Sequence, residues 1–216
     1  MPISRDRILF EDPHFLAVNK LAGELAVRGA GALQKLPLLD FLKKQYPGLR
    51  PVNRLDFETS GVMLFARSKD ALERAIATPM EKRYRALVAG RLERREGDIR
   101  FALPARTQGT IPAHTHYRVL EQFGNSALVE ATIATGRHHQ IRQHFAKIGH
   151  PLALDHVYGD KKFNNVFTQE FGYRRFFLHA ASLSFEHPLT HESVSIRAPL
   201  PKAFEDLLRR LRILTA

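Results

Sequence analysis

Arg54 and Asp56 flank one leucine in the stretch VNRLDFETSGVMLFARS, residues 52–68. Thr59-Ser60-Gly61 follow at once, and then the apolar run Val62–Ala66. A carboxylate beside a guanidinium, just ahead of a buried strand, is either a surface turn or a reactive group on a rigid mount. Glu58 offers a second acid. In an extended chain residues i and i+2 share a face, which is the arrangement for a carboxylate pair in glycoside hydrolysis. The backbone rise sets two such residues roughly 7 Å apart, and a sugar must still fit between them. That makes the pair a weak rival. Ser60 lacks the Gly-x-Ser-x-Gly elbow of a serine hydrolase.

A second group lies in TGRHHQIRQHFAKIG. Ile141, Phe145 and Ile148 fall on one face of a helix expected over residues 137–148. His138 and Arg142 are i, i+4 neighbours on another face. Helix N-termini attract anions, so this one suits a phosphate or carboxylate; alone, it also reads as a solvated basic face. Metal binding is not expected from the histidines. His139 and His144 point roughly 140° apart on a helix, and no His-Glu-x-x-His pattern occurs. Gly29-x-Gly31 in RGAGALQ lacks the third glycine of a dinucleotide fingerprint and reads as a turn.

The elements that must position these residues follow from periodicity. Ile8–Phe10 and Phe15–Val18 read as a hairpin around Glu11-Asp12-Pro13. Leu36, Leu39 and Phe41-Leu42 have helical spacing that ends near Pro47-Gly48. Ser68 can cap a helix containing Leu72, Ala75 and Ile76. RYRALVAGRL, residues 83–92, reads as a strand. ERREGDIR reads as a charged loop and LPARTQGTIPAHTH as a surface connection. Residues 117–122 and 127–134 form a second hairpin. Residues 152–175 read as irregular and polar. Strands are expected at 176–185 and 194–196, and an amphipathic helix from Pro201 with Phe204, Leu207, Leu208 and Leu211 inward. Mixed strands and helices with prominent hairpins give an α+β fold with a mixed, largely antiparallel central sheet.

The chain has 216 residues, 44% of them apolar, enough for a full core. Lysine and arginine number 33 against 22 acids, a net charge of +11. Such an excess points to a polyanionic partner, most simply nucleic acid. Cysteine is absent, which excludes disulfides and thiol nucleophiles. No signal-peptide core and no apolar run near a membrane span's length occur, so a cytoplasmic protein is expected.

Four segments then act together. NRLDFETSG resembles the Arg-Leu-Asp-x-x-Thr-Ser-Gly signature of RluA-type pseudouridine synthases. KRYRALVAG, TGRHHQIRQHFAKIGHPL and LHAASLSFEHP resemble three further blocks of that family, in the family's order, and VNKLAG resembles its opening block with Leu21 in place of proline. The resemblance spans roughly residues 8–200. Asn53 stands where the family usually has histidine, and Leu154 where it usually has glycine. THYRVL and GDKKFNNVFTQEFGYRRFFLHA resemble the TruC-like, tRNA-modifying branch.

The resemblance implies one catalytic domain over residues 1–216, two lobes around a cleft, without a separate N-terminal RNA-binding domain. It implies isomerisation of a uridine in structured RNA, tRNA or rRNA, without cofactor or metal. Asp56 becomes the catalytic carboxylate. Three roles stay open to it: attack on C1′, stabilising a cationic sugar, or taking a proton from C2′. Arg142 becomes its partner, because an adjacent cation favours the ionised form. Tyr84 sits against the uracil ring, and Leu178 lines the apolar part of the pocket. Arg54, Arg137, His138 and Arg175 are expected to contact substrate, and the basic surface offers Arg83, Arg85, Lys161, Lys162 and Arg174 as further candidate phosphate contacts. A monomer is expected, with no obligatory protein partner. The alternatives are a non-catalytic RNA-binding protein of the same fold and a nucleosidase-type glycosidase.

Overall fold

The apolar run after Gly61 is the body of a strand, Ser60–Ala66, all seven residues of which are buried. Its neighbours show why it is uniformly apolar. Val62, Leu64 and Ala66 point into one core with Phe15, Ala17, Ala71, Ala75, Leu183 and Ile196. Met63 and Phe65 point into a second core with Leu16, Val18, Leu38, Leu42 and Leu49. Side chains alternate across a strand, so a strand covered on both faces carries no polar alternation.

The computed structural model describes residues 3–27, 36–105 and 108–215; the Gly29-x-Gly31 turn lies outside them. In chain order the elements are β1 (Ile8–Glu11), β2 (Phe15–Lys20), α1 (Leu38–Leu42), β3 (Arg50–Pro51), β4 (Ser60–Ala66), α2 (Lys69–Ala77), β5 (Met80–Ala89) and β6 (Glu96–Ile99). There follow β7 (Leu103–Pro104), β8 (Thr110–Ile111), β9 (Thr115–Gln122), β10 (Ser126–Ile133), α3 (Gln140–Lys147), α4 (Lys161–Phe171), β11 (Leu178–Glu186), β12 (Ser193–Arg197) and α5 (Lys202–Thr215). The chain divides into two compact units, Met1–Lys82 with Ala180–Pro199, and Arg83–His179 with Leu200–Ala216.

In the first unit the strand order is β1-β2-β4-β11, with β3 on β4 and β12 on β11. The expected hairpin is β1–β2, and β2 pairs antiparallel with β4 from Phe15↔Ala66 to Lys20↔Gly61. Ser68 caps α2, its hydroxyl accepting from the Ala71 N–H at 3.0 Å. Gly61 has φ +111, and a Cβ there would lie 2.2 Å from the Ala180 carbonyl oxygen. Only glycine permits that approach.

In the second unit the order is β5-β10-β9-β6, with β7–β8 as a separate ribbon. The β9–β10 and β6–β9 pairings are antiparallel. Phe204, Leu207, Leu208 and Leu211 of α5 pack with Phe167 and Phe171 of α4, Leu87 and Leu128. Each such burial contributes about 1.5–3 kcal/mol. The expected α+β class and antiparallel pairing are what the chain adopts.

Four local expectations are corrected. Residues 152–175 are not irregular, since α4 occupies 161–171. Asp160 caps it, accepting from the Phe163 N–H at 2.6 Å, and Gly172 ends it in the left-handed conformation. Its Phe163, Phe167 and Phe171 recur every four residues, masked by the polar residues between them. The helix expected from Arg137 starts at Gln140, because His139 adopts φ 50 and breaks the helical run. His138 therefore stands outside it, and its i, i+4 relation to Arg142 does not hold. ERREGDIR is not wholly loop: β6 joins the edge at β9, with Glu96 opposite Arg118. LPARTQGTIPAHTH contains the β7–β8 ribbon.

Candidate active site

Asp56 is half-buried on the loop between β3 and β4. Two anchors fix that loop. At its start, the Val52 N–H donates to the Leu64 carbonyl at 2.9 Å. The Asn53 side chain then accepts from the Leu64 N–H at 2.7 Å and donates to the Val62 carbonyl at 3.3 Å. One carboxamide thus imitates a strand neighbour, which needs a donor and an acceptor on a short stem. At its end, the Thr59 N–H donates to the Asp56 carbonyl at 3.1 Å, closing a turn around Phe57-Glu58.

The second anchor is Lys20, whose residue is fully buried. Its ammonium donates to the carbonyls of Thr59 at 2.7 Å, Phe57 at 3.1 Å and Leu21 at 3.1 Å. Three carbonyls match the three donors of an ammonium. Burial lowers its pKa from 10.5 to about 8; the Glu24 and Asp56 carboxylates act in the opposite sense, and Arg7 adds to the lowering. The Asp56 loop is therefore tied to a buried cation in its own unit. Sequence reading noted VNKLAG only as a family block and gave Lys20 no role.

In the second unit Arg142 is buried and meets Asp155, which is also buried. Nε lies 2.6 Å from Oδ2 and Nη2 lies 2.9 Å from Oδ1. The guanidinium also lies over the rings of Phe176, at 4.6 Å, and Tyr158, at 5.1 Å. Asp155 further accepts from the Val157 and Tyr158 N–H groups. Burial pushes its carboxyl up, but the Arg142 and backbone hydrogen bonds outweigh that and hold it below the usual carboxylate range. The sequence alone gives Asp155 no role. A bidentate pair across 13 residues leaves no periodic signal.

The turn before α3 is organised by Gln140. Its Oε1 accepts from the Thr135 hydroxyl at 2.9 Å and the Arg137 N–H at 3.1 Å. Its Nε2 donates to the His114 carbonyl at 2.8 Å and to the Thr115 hydroxyl at 3.2 Å. His144 lies 3.0 Å through Nε2 from the Phe101 carbonyl and 2.9 Å through Nδ1 from the Thr115 hydroxyl. The carbonyl can only accept, so Nε2 carries the proton and Nδ1 accepts. Burial lowers the His144 pKa, which keeps the ring neutral. Thr135, Gln140 and His144 therefore hold structure rather than meet a ligand.

The remaining expected residues are placed as follows. Arg54 is exposed beside Asp56 in the first unit. Tyr84 is buried on β5, and Leu178 is buried at the start of β11. Arg137, His138 and Arg175 are exposed. Phe176, next to Arg175 and two residues before Leu178, brings that segment onto Arg142. Arg83, Lys161, Lys162 and Arg174 are exposed, whereas Arg85 pairs with Glu130 at 3.2 Å. Among the described residues no helix is long and apolar enough to cross a membrane.

A carboxylate on a doubly anchored loop, in an antiparallel α+β scaffold of net charge +11, is an arrangement that can do carboxylate chemistry on a polyanion. The comparisons with known proteins give its class a name. A sequence profile described as RNA pseudouridylate synthase matches residues 14–147. Ribosomal large subunit pseudouridine synthase C of Vibrio cholerae is 36% identical over 220 residues, covering 95% of this chain and 69% of the relative. The protein of the same name from Escherichia coli K12 is 36% identical over 224 residues, covering 96% and 70%. Among solved structures, human RNA pseudouridylate synthase domain containing 4 has a TM-score of 0.80 and 26% identity, covering 96% of this chain and 93% of that one. Human RNA pseudouridylate synthase domain containing 1 has a TM-score of 0.71 and 25% identity, covering 98% of each. The chain belongs to the RNA pseudouridylate synthase family, and its activity is the isomerisation of uridine to pseudouridine in RNA.

Proposed function

We propose that Asp56 supplies the catalytic carboxylate and that the substrate is a uridine of large-subunit ribosomal RNA. The observation that carries the first part is the double anchoring of residues 53–59, by Asn53 on β4 and by Lys20 on the Phe57 and Thr59 carbonyls. A reacting group on a loop that hydrogen bonds lock to a buried strand keeps its geometry. The second part follows the names of the curated relatives.

The reaction breaks the bond between ribose C1′ and uracil N1, turns the base, and joins C1′ to C5. The C5 proton leaves to solvent and N1 gains one, so the change is an isomerisation with no net redox. The Asp56 carboxylate meets the electron demand at the sugar by attack on C1′ or by acting at C2′. Arg142 supplies positive charge; Asp155 takes Nε and Nη2 of the guanidinium and so fixes its orientation. Tyr84 holds the detached uracil, and Leu178 gives the base an apolar contact. Arg54, Arg137, His138 and Arg175 bind the RNA backbone and flanking nucleotides. The uridine must leave its stack, at a cost of a few kcal/mol, which phosphate contacts offset. The enzyme works as a cytoplasmic monomer.

The test is tritium release from RNA labelled at uridine C5. Asp56→Ala is expected to abolish release while RNA binding persists; undiminished release overturns the assignment. Ribosomal RNA and tRNA are assayed side by side, because THYRVL and GDKKFNNVFTQEFGYRRFFLHA resemble the tRNA-modifying branch. Release from tRNA alone overturns the ribosomal reading. Liberation of free uracil would mark a nucleosidase instead.

A further inference from the structure

His138 and His139 stack on one another at the turn leading into α3. Their ring centroids are 3.7 Å apart and their planes are within 23° of parallel. His139 holds φ 50, a left-handed conformation uncommon for residues other than glycine. Several contacts hold the pair there. The Gln143 side chain donates to the His138 carbonyl at 2.8 Å. The Gln143 N–H donates to the His139 carbonyl at 2.9 Å. The His139 ring meets the Tyr158 hydroxyl through Nδ1 at 3.1 Å, with the two rings edge to face at 82°.

Tyr158 leads inward. Its backbone N–H donates to Asp155 at 3.1 Å, and its ring carries the Arg142 guanidinium. A continuous set of contacts thus joins the exposed His138 to Arg142. The packing explains His139, which is half-buried, but not the outer ring, which is exposed. A flat ring already stacked on a second, fixed one presents a π-face without further ordering cost, and nucleobases stack on such faces.

We propose that His138, backed by His139, is a stacking platform for an unpaired nucleobase flanking the uridine that reacts. The ligand is a base and not a phosphate, so aromaticity rather than charge is what the position requires. This rests on the reading of Arg142 as part of the active site, to which Tyr158 links the pair. Failure of that reading shows separately, as normal tritium release from an Arg142→Lys variant.

The test uses the full chain carrying Asp56→Ala, which stops turnover, and a short uridine-containing RNA with 2-aminopurine beside the uridine. His138→Ala is expected to weaken binding roughly fivefold or more and to lose the quenching of 2-aminopurine fluorescence. His138→Phe is expected to restore both, with the salt dependence of binding unchanged. Restoration by His138→Lys but not by His138→Phe overturns the proposal in favour of a phosphate contact. Equal binding by all four proteins overturns it outright. His138 is exposed, so these variants are expected to keep the fold, and matching urea midpoints check it.

Discussion

Asp155 is a fully buried acid whose loss the fold is expected to tolerate poorly. Its removal leaves the buried Arg142 guanidinium without its bidentate partner. Breaking such a pair costs about 3–5 kcal/mol, so Asp155→Ala is expected to lower the urea midpoint sharply. Thr59 is the opposite case. Its hydroxyl is buried and has no hydrogen-bond partner among the described residues, so Thr59→Val is expected to be neutral or stabilising in the same measurement. Leu154 has φ 66 where the family usually has glycine, yet its side chain is fully buried in the second unit's core. Leu154→Gly would relieve strain of about 1–2 kcal/mol but lose roughly 2–5 kcal/mol of packing. A net loss of stability is expected. At this scale the sequence singled out Asp56 as a candidate, because it sits in a contiguous motif. It did not show what Asp155 or Lys20 does, because their partners lie elsewhere in the chain.

At the scale of elements, β4 was legible because burial on both faces writes itself as an unbroken apolar run. The hairpins β1–β2 and β9–β10 were legible from turn residues between β-rich runs. Helix α4 was not, because lysines, asparagines and glutamine dilute its phenylalanine face. The start of α3 was misplaced because a left-handed His139 has no sequence signature, unlike glycine. Lys20 gives this scale its pH test. Its folded pKa, about 8, lies below the ordinary 10.5. Between those values the unfolded chain binds the extra proton, so stability rises with pH across that window. The burial cost is present in full below about 8, on the order of 3 kcal/mol, and fades toward 10.5. Urea titrations of the wild type from pH 7 to 10 are expected to show this rise relative to Lys20→Met. Parallel slopes for the two proteins would contradict it. The variant also leaves three carbonyls without their donor, and its tritium release is expected to fall as the Asp56 loop loosens.

At the scale of the whole molecule, the count of 33 lysines and arginines overstates the cations available to RNA. Arg85 and Arg118 pair with Glu130, and Arg212 pairs with Glu121. The exposed Lys161 and Lys162 at the start of α4 are better placed to meet phosphate. Changing both to alanine is expected to reduce the slope of log affinity against log salt by about 2, with urea stability unchanged. An unaltered slope would remove them from the interface. The α+β class and the family were readable because charge, hairpins and four ordered motifs agreed. Burial partners were not, since they depend on which surfaces meet.

The most direct measurement isolates the charge of residue 56. Asp56→Asn keeps the size of the side chain and the turn closed by the Thr59 N–H on the Asp56 backbone carbonyl. Tritium release from C5-labelled RNA is expected to fall to background in this variant while RNA affinity stays within a few-fold of wild type. Release at the wild-type rate would show that the reaction does not use the carboxylate at position 56.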